Sequence, residues 1–302
     1  MCIRDRHGNE WSEHIENQGW KAYRWEYHNS GQIKALLQGF LKRYPLEVGV
    51  LWFPDWIIGD YAACKDLVKI IQKSLQLRII YIRVRSHKEI NDFDKVIFIN
   101  NCFIRPKKSI NSGQTMQLDL SLSEESLSKG LSRNWRRNLQ RSTRTEFEIS
   151  EIKNPKVVIK LYNELAKIKK IDNLLSANEI DSIFDSFSNK LVVIGAHTLD
   201  GKVHAIRGAI VINGKATDIF AASNIYARNH FLSYATCWNL LLKCKKLKCT
   251  DYNLNGVDPL NNIGVYNFKK GTGAKLKIEL GEFESSNLKI LPYLVNLYLK
   301  KS

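Results

Sequence analysis

Proline is scarce in this 302-residue chain, at 6, and glycine reaches only 17. That excludes a collagen-like or low-complexity sequence. No run of about 18 apolar residues occurs, so no membrane-spanning helix is predicted. The six cysteines, Cys2, Cys64, Cys102, Cys237, Cys244 and Cys249, include no Cys-x-x-Cys pair. No histidine stands at zinc-finger spacing from them either, so no metal site is indicated. In a chain of this size they read as reduced, mostly buried thiols, which predicts a cytoplasmic setting. Residues 1–8 are charged and lack an apolar stretch, so no secretory signal is predicted. The opening Met1-Cys2-Ile3-Arg4-Asp5-Arg6 does not read as a natural start, and the true N-terminus is expected to be missing. His197, His204 and His230 have no serine, cysteine or carboxylate at motif spacing, so a nucleophilic triad is not indicated. Each reads instead as a packing or surface histidine.

What is present is ample apolar material and an excess of positive charge. Hydrophobic residues make up 44% and charged residues 25%, enough for packed cores. The length suits two cores of about 100 to 150 residues each. Lysine and arginine outnumber aspartate and glutamate by 46 to 30, a formal net charge of +16. A balance of that size attracts polyanions such as RNA, phosphorylated substrates or an anionic membrane.

Along the chain, alternation over 21–27 and 33–44 about Gly31 predicts a β-hairpin. A strand over 48–53, a helix over 61–75 and a strand over 78–85 make an α/β unit. The linker-like stretch 100–114, with Pro106, Asn111 and Gly113, places a domain boundary near its end. The second half reads as a strand over 115–120, a helix opened by the cap Ser123, helices over 155–170 and 177–187, and strands over 191–198, 203–212 and 215–222. A long helix over 228–246 and strands over 250–254 and 275–280 follow. The predicted division is 1–114, truncated at its start, 115–286, and a helical tail 287–302. No repeat in sequence relates the halves.

Two segments carry candidate chemistry. Between Leu131 and Thr145 stand Arg133, Arg136, Arg137, Arg141 and Arg144, with no acid. On a helix, Arg133, Arg137, Arg141 and Arg144 fall three or four apart and share a face that repels itself unless an anion answers it. Guanidinium groups suit bidentate phosphate binding. The neighbouring Trp135 reads as a core anchor. In the second segment, Phe268-Lys269 lies between a loop and the glycines Gly271 and Gly273, which permit close backbone approach. A lysine there places a compact charge where an oxyanion develops or a phosphate binds.

The run from Ser132 to Ser142 resembles the arginine-rich helix that opens the C-terminal domain of Fem-type (FemABX) peptidyltransferases. Asp251-Tyr252-Asn253-Leu254-Asn255-Gly256-Val257-Asp258-Pro259, followed by Gly264-Val265-Tyr266-Asn267-Phe268-Lys269-Lys270-Gly271-Thr272-Gly273, is similar to that family's ending. Phe53-Pro54 and Asp60-Tyr61 are weaker matches in the first half. The resemblance implies an α/β fold of two GNAT-like domains, each a mixed sheet flanked by helices, and an acyltransferase that forms an amide bond. It implies Lys269, with Asp60 and Asp251, as catalytic residues, and Arg133, Arg136, Arg137, Arg141, Tyr266, Phe268 and Asp258 at the substrate. It also implies no bound cofactor, aminoacyl-tRNA as donor, and a phosphorylated or lipid-linked cell-envelope precursor as acceptor.

A CoA-dependent GNAT enzyme cradles pyrophosphate on a glycine turn at a helix N-terminus. Residues 224–234 contain no glycine, which disfavours CoA. Two alternatives stay open: an N-acyltransferase on an amino sugar using acyl-CoA or an acyl carrier protein, and a non-catalytic RNA-binding protein. The tail, with Leu288, Leu291, Leu294, Val295 and Tyr298 at helical spacing and Lys300-Lys301 at its end, suits packing on the second domain or peripheral contact with the inner membrane surface.

Overall fold

The computed structural model describes residues 8–56, 58–59, 67–100, 103–168 and 174–301. Two compact units make up the chain, one of 1–114 with 278–302 and one of 115–277.

The first unit starts with α1 (Asn9–Glu16), β1 (Lys21–Asn29), β2 (Gln32–Tyr44), β3 (Val48–Phe53), β4 (Ile58–Gly59), α2 (Leu67–Ser74), β5 (Ile79–Glu89) and α3 (Asp92–Asn100). β1 and β2 form the predicted hairpin, and β3 pairs parallel with β5 across the connection that carries α2. Of the predicted helix 61–75, only α2 lies within the described residues. The core gathers Leu51, Phe53, Trp56, Ile82, Val84, Phe98 and Phe103. Alternate residues of β3, Gly49, Leu51 and Phe53, are buried with Val48, Val50 and Trp52 half-buried between them, as the period of two requires of a strand with one face on the core.

The second unit runs β6 (Gln114–Asp119), α4 (Glu124–Gly130), α5 (Arg133–Ser142), β7 (Glu148–Glu151), α6 (Pro155–Ile168), α7 (Ala177–Ser186), β8 (Leu191–His197), β9 (Val203–Ile212), β10 (Lys215–Ser223), α8 (Ile225–Asn229), α9 (Leu232–Lys246), β11 (Asp251–Gly256) and α10 (Ile263–Lys270). Its strands lie in the order β6-β11-β10-β9-β8-β7. All pair antiparallel except β10 with β11, which α9 connects. The Ser123 hydroxyl caps α4, as predicted, by accepting from the Ser126 amide.

Sequence pattern predicted a single helix over 228–246, but the structure breaks it. Asn224 caps the short α8 by accepting from the Ala227 amide, and Phe231 then takes a left-handed conformation, φ 59°, before α9 begins. That conformation costs roughly 1–2 kcal/mol for a residue with a Cβ. The Arg141 guanidinium 4.6 Å above the Phe231 ring offsets part of it.

The chain re-enters the first unit at Ile278, earlier than the predicted 286, because β12 (Lys275–Ser286) pairs antiparallel with β5 from Glu279↔Glu89 to Ser286↔Tyr81. The tail helix α11 (Leu291–Lys301) belongs to this first unit and not to the second. Charge is buried where β5 meets β12. Arg83 donates through Nε and Nη2 to Glu282, the Tyr81 hydroxyl donates to Glu284 at 2.7 Å, and Asn296 of α11 donates to Glu284 at 3.1 Å. Burial and the bond to Glu284 push the Tyr81 phenol far above its usual range. Removing one partner of such a pair costs about 3–5 kcal/mol, since a lone buried charge remains.

Candidate functional site

In the second unit, the parallel pairing of β10 and β11 covers Lys215↔Asp251 to Thr217↔Asn253 and then ends, although β10 continues to Ser223 and β11 to Gly256. Bulges sit on both strands at this point, between Asp218 and Phe220 and between Asn253 and Gly256. Asn255, at φ 66°, turns the backbone, and its side-chain Nδ2 donates to the Asp218 carbonyl at 3.2 Å. The strands therefore part, and polar side chains line the notch.

Arg207 of β9 binds Asp218 of β10 through two bonds, Nε to Oδ1 at 3.0 Å and Nη2 to Oδ2 at 2.6 Å, and the Tyr252 hydroxyl of β11 adds a third at 2.9 Å. All three residues are buried. This network was not singled out from the sequence. Its signal was one charge of each sign, Arg207 and Asp218, inside two strands joined by the Asn213-Gly214 turn.

Lys269 completes the group. The sequence placed it beside a loop, but it lies in the last turn of α10, whose first turn is capped by Asn262 accepting from the Val265 amide. Its side chain is 9% exposed and donates from Nζ to the Gly256 carbonyl at 2.8 Å. Burial pulls its pKa down to about 8, with Arg207 lowering it further and the Asp218 carboxylate opposing. A lysine so tuned is mostly cationic near neutrality yet able to exchange a proton. Phe268, under the Arg207 guanidinium at 5.2 Å, and Tyr266 pack partly against the core beside Trp135.

Ser132 donates from its amide to the Gly271 carbonyl at 2.9 Å, tying the start of α5 to the end of α10. The two glycines serve this junction. A Cβ on Gly271 would meet Trp135 Cδ1 at 2.8 Å, and one on Gly273, at φ 87°, the Gly130 carbonyl at 2.9 Å. Close approach was predicted toward a ligand; here it is toward α4 and α5.

The arginine-bearing helix and the lysine-bearing helix are thus neighbours, but their charges face differently. Trp135, Asn138 and Ser142 form the buried side of α5. Arg133, Arg136, Arg137 and Arg141 are exposed on the opposite side, and Arg144, also exposed, lies beyond the end of the helix. The shared face predicted for the arginines exists as a solvent-facing stripe. Arg137 donates to Asn134 at 2.9 Å, and no acid lies in the first turn.

The remaining sequence candidates are dispersed. Asp251 opens β11, five residues from Gly256 and so roughly 16 Å along the strand, and accepts from Gln117 at 2.9 Å. Asp258 closes the turn before α10, accepting from the amides of Leu260 and Asn261, each at 3.0 Å. A further bond from the Asn261 side chain helps hold its pKa low. Asp60 lies outside the described residues. His204 is buried between Thr198 and Asn224, and His230 bonds Thr145, so both are structural contacts. Among the described residues no cluster suited to a metal occurs, and no helix is long and apolar enough to cross a membrane.

Comparison with known proteins agrees with this architecture. The chain is similar to the crystal structure of FemX, with a TM-score of 0.80 and 14% identity, covering 95% of this chain and 93% of that one. It is also similar to the C-terminal domain of a putative lysylphosphatidylglycerol synthetase from Agrobacterium fabrum, at a TM-score of 0.55 and 16% identity over 94% and 89% of the two chains. A tandem GNAT protein from the clavulanic acid biosynthesis pathway aligns at a TM-score of 0.55 and 11% identity, over 88% and 83%. No curated protein matches in sequence. The model of the FemAB family matches residues 176–301, a span that includes β10, β11 and the Lys269 helix. The match lies in the C-terminal part of the chain, and the mixed α/β fold is that of FemX and of the tandem GNAT protein.

Proposed function

We propose that the chain transfers an aminoacyl group from aminoacyl-tRNA to an amine of a peptidoglycan or other cell-envelope precursor, on the cytoplasmic side where charged tRNA is present. The observation that carries this reading is Lys269, a buried cation tuned to about 8 where β10 and β11 part. The acceptor nitrogen attacks the ester carbonyl, the carbonyl oxygen gains charge, and Lys269 steadies it. The ester C–O bond then breaks, the tRNA hydroxyl leaves and an amide remains. The donor ester is already activated, so orientation and a preorganised charge account for the acceleration without a covalent enzyme intermediate.

Arg133, Arg136, Arg137 and Arg141 would hold phosphates of the tRNA or the precursor. The N-terminus of α5 adds a partial positive charge with no acid to answer it. Residues 224–234 hold α8 and the left-handed Phe231 where a CoA enzyme would carry its glycine turn, so the geometry favours a donor other than CoA.

A donor panel tests the reading. Purified protein is given charged tRNAs, acetyl-CoA and longer acyl-CoAs, with muropeptide precursors or amino sugars as acceptors, and amide products are followed by mass spectrometry. Product with charged tRNA alone is expected. Transfer from acyl-CoA only, or tight RNA binding indifferent to aminoacylation with no product, overturns it.

A further inference from the structure

The tail helix α11 buries a polar side chain and leaves apolar ones exposed. Among the described side chains of α11 the fully buried one is the polar Asn296, 4% exposed, which donates to Glu284 and accepts from the Lys108 amide at 3.0 Å, while Leu291 and Val295 are half-buried. Its exposed arc is apolar: Tyr293 is 52% exposed, Leu294 48% and Leu297 40%, at positions that share one face. A helix packed on a soluble core shows the reverse pattern. Ile290, just before the helix, is exposed as well.

Charge accompanies this face. The Lys107 ammonium lies 5.8 Å from the Tyr293 ring centroid, and Lys289 is exposed at the approach to the helix. The segments 103–114 and 287–297 together contain Arg105, Lys107, Lys108 and Lys289 and no acidic residue. A second copy of the chain would bring these like charges together, whereas an anionic surface would answer them.

We infer that α11 and the adjoining 104–110 segment dock the first unit onto an anionic lipid surface. The Tyr293, Leu294 and Leu297 side chains enter the boundary between headgroups and acyl chains, and the flanking lysines meet lipid phosphates. This docking stands apart from the transfer chemistry, because it uses none of the residues assigned to the reaction.

The test is flotation of the full chain with vesicles of phosphatidylcholine alone and with about a third phosphatidylglycerol. Binding is expected only to the anionic vesicles, weakening as salt is raised. Lys107→Glu and Lys289→Glu should each weaken it by about fivefold or more. The double variant Leu294→Ser, Leu297→Ser should weaken it by roughly tenfold or more while leaving the thermal midpoint nearly unchanged, since both side chains are already exposed. Absence of binding, equal binding to neutral vesicles, or full retention by the double variant would overturn the inference. So would a dimer, seen by sedimentation equilibrium and lost in the double variant, in a protein that ignores vesicles.

Discussion

Lys269 donates its ammonium hydrogen to the carbonyl of Gly256, 13 residues earlier in the chain, and so bridges the last turn of α10 to the free end of β11. The bond fixes the amine where the strands have separated, while burial holds its pKa at about 8. On the reading above, Lys269→Met keeps the packing and removes the charge. Turnover should fall by about a hundredfold to a thousandfold, with a smaller change in the thermal midpoint. Steady-state kinetics beside calorimetry separates the two, and unchanged turnover removes the assigned role.

The same residue sets a pH signature. Its folded pKa lies below the unfolded 10.5, so the unfolded chain binds more protons between about pH 8 and 10.5. Stability of the wild type relative to Lys269→Met should therefore rise through that window, by on the order of 3 kcal/mol, and stay flat below it. Activity should run the other way, falling above pH 8 as the cation is lost. Urea titrations of both proteins across the range check the first part, and a kcat profile the second.

Glu279 gives stability the same direction of change with pH, in an acid window. Burial alone would raise its pKa, but the bond from His87 at 2.8 Å and the charge of Arg85 bring it down to about 2. A carboxylate so depressed contributes stability that is present above its unfolded value of about 4.5 and is lost as pH falls toward 2. Glu279→Gln should flatten the acid limb of the stability curve over that window, read by circular dichroism.

Gly271→Ala and Gly273→Ala should both destabilise, for different reasons. The first forces a methyl against Trp135, an overpacking cost of about 1–3 kcal/mol. The second adds a left-handed backbone to a contact with the rigid Gly130 carbonyl, and its cost should be the larger. Denaturant midpoints would show the order; a neutral Gly273→Ala contradicts the packing described.

Arg133→Ala with Arg137→Ala touches only exposed groups, so folding should change by no more than about 0.5 kcal/mol. If these side chains contact RNA phosphates, tRNA affinity should drop and the slope of log affinity against log salt should lessen by about 2. Filter binding over a salt series measures it, and an unaltered slope places the phosphate contacts elsewhere.

Much of the architecture was legible because its signals are local. Alternation gave the β1-β2 hairpin and β8 to β10 close to their bounds, and capping by Ser123 gave the start of α4. What escaped was set by tertiary contact. The eight-residue α10, containing Gly264 and the β-branched Val265, has little helical preference of its own and is held by packing of Tyr266 and Phe268 against the core. The break at Phe231 comes with a ring contact to Arg141, 90 residues away, which local pattern does not reveal. At the site, the motif pointed to Lys269 and helical spacing put the arginines of α5 on one face away from Trp135, but nothing in the pattern told that Arg207 and Asp218 would find each other.

The pairing of β12 with β5 bears on how the protein can be dissected. Residues 115–277 are one uninterrupted stretch with their own sheet, and suit expression as a separate piece. A product cut short at 114 would leave β5 without its outer neighbour and strand Arg83 and Arg85 without their carboxylates, so it should be recovered as aggregate. Tethering 278–302 to that product by a flexible linker is the repair to try first.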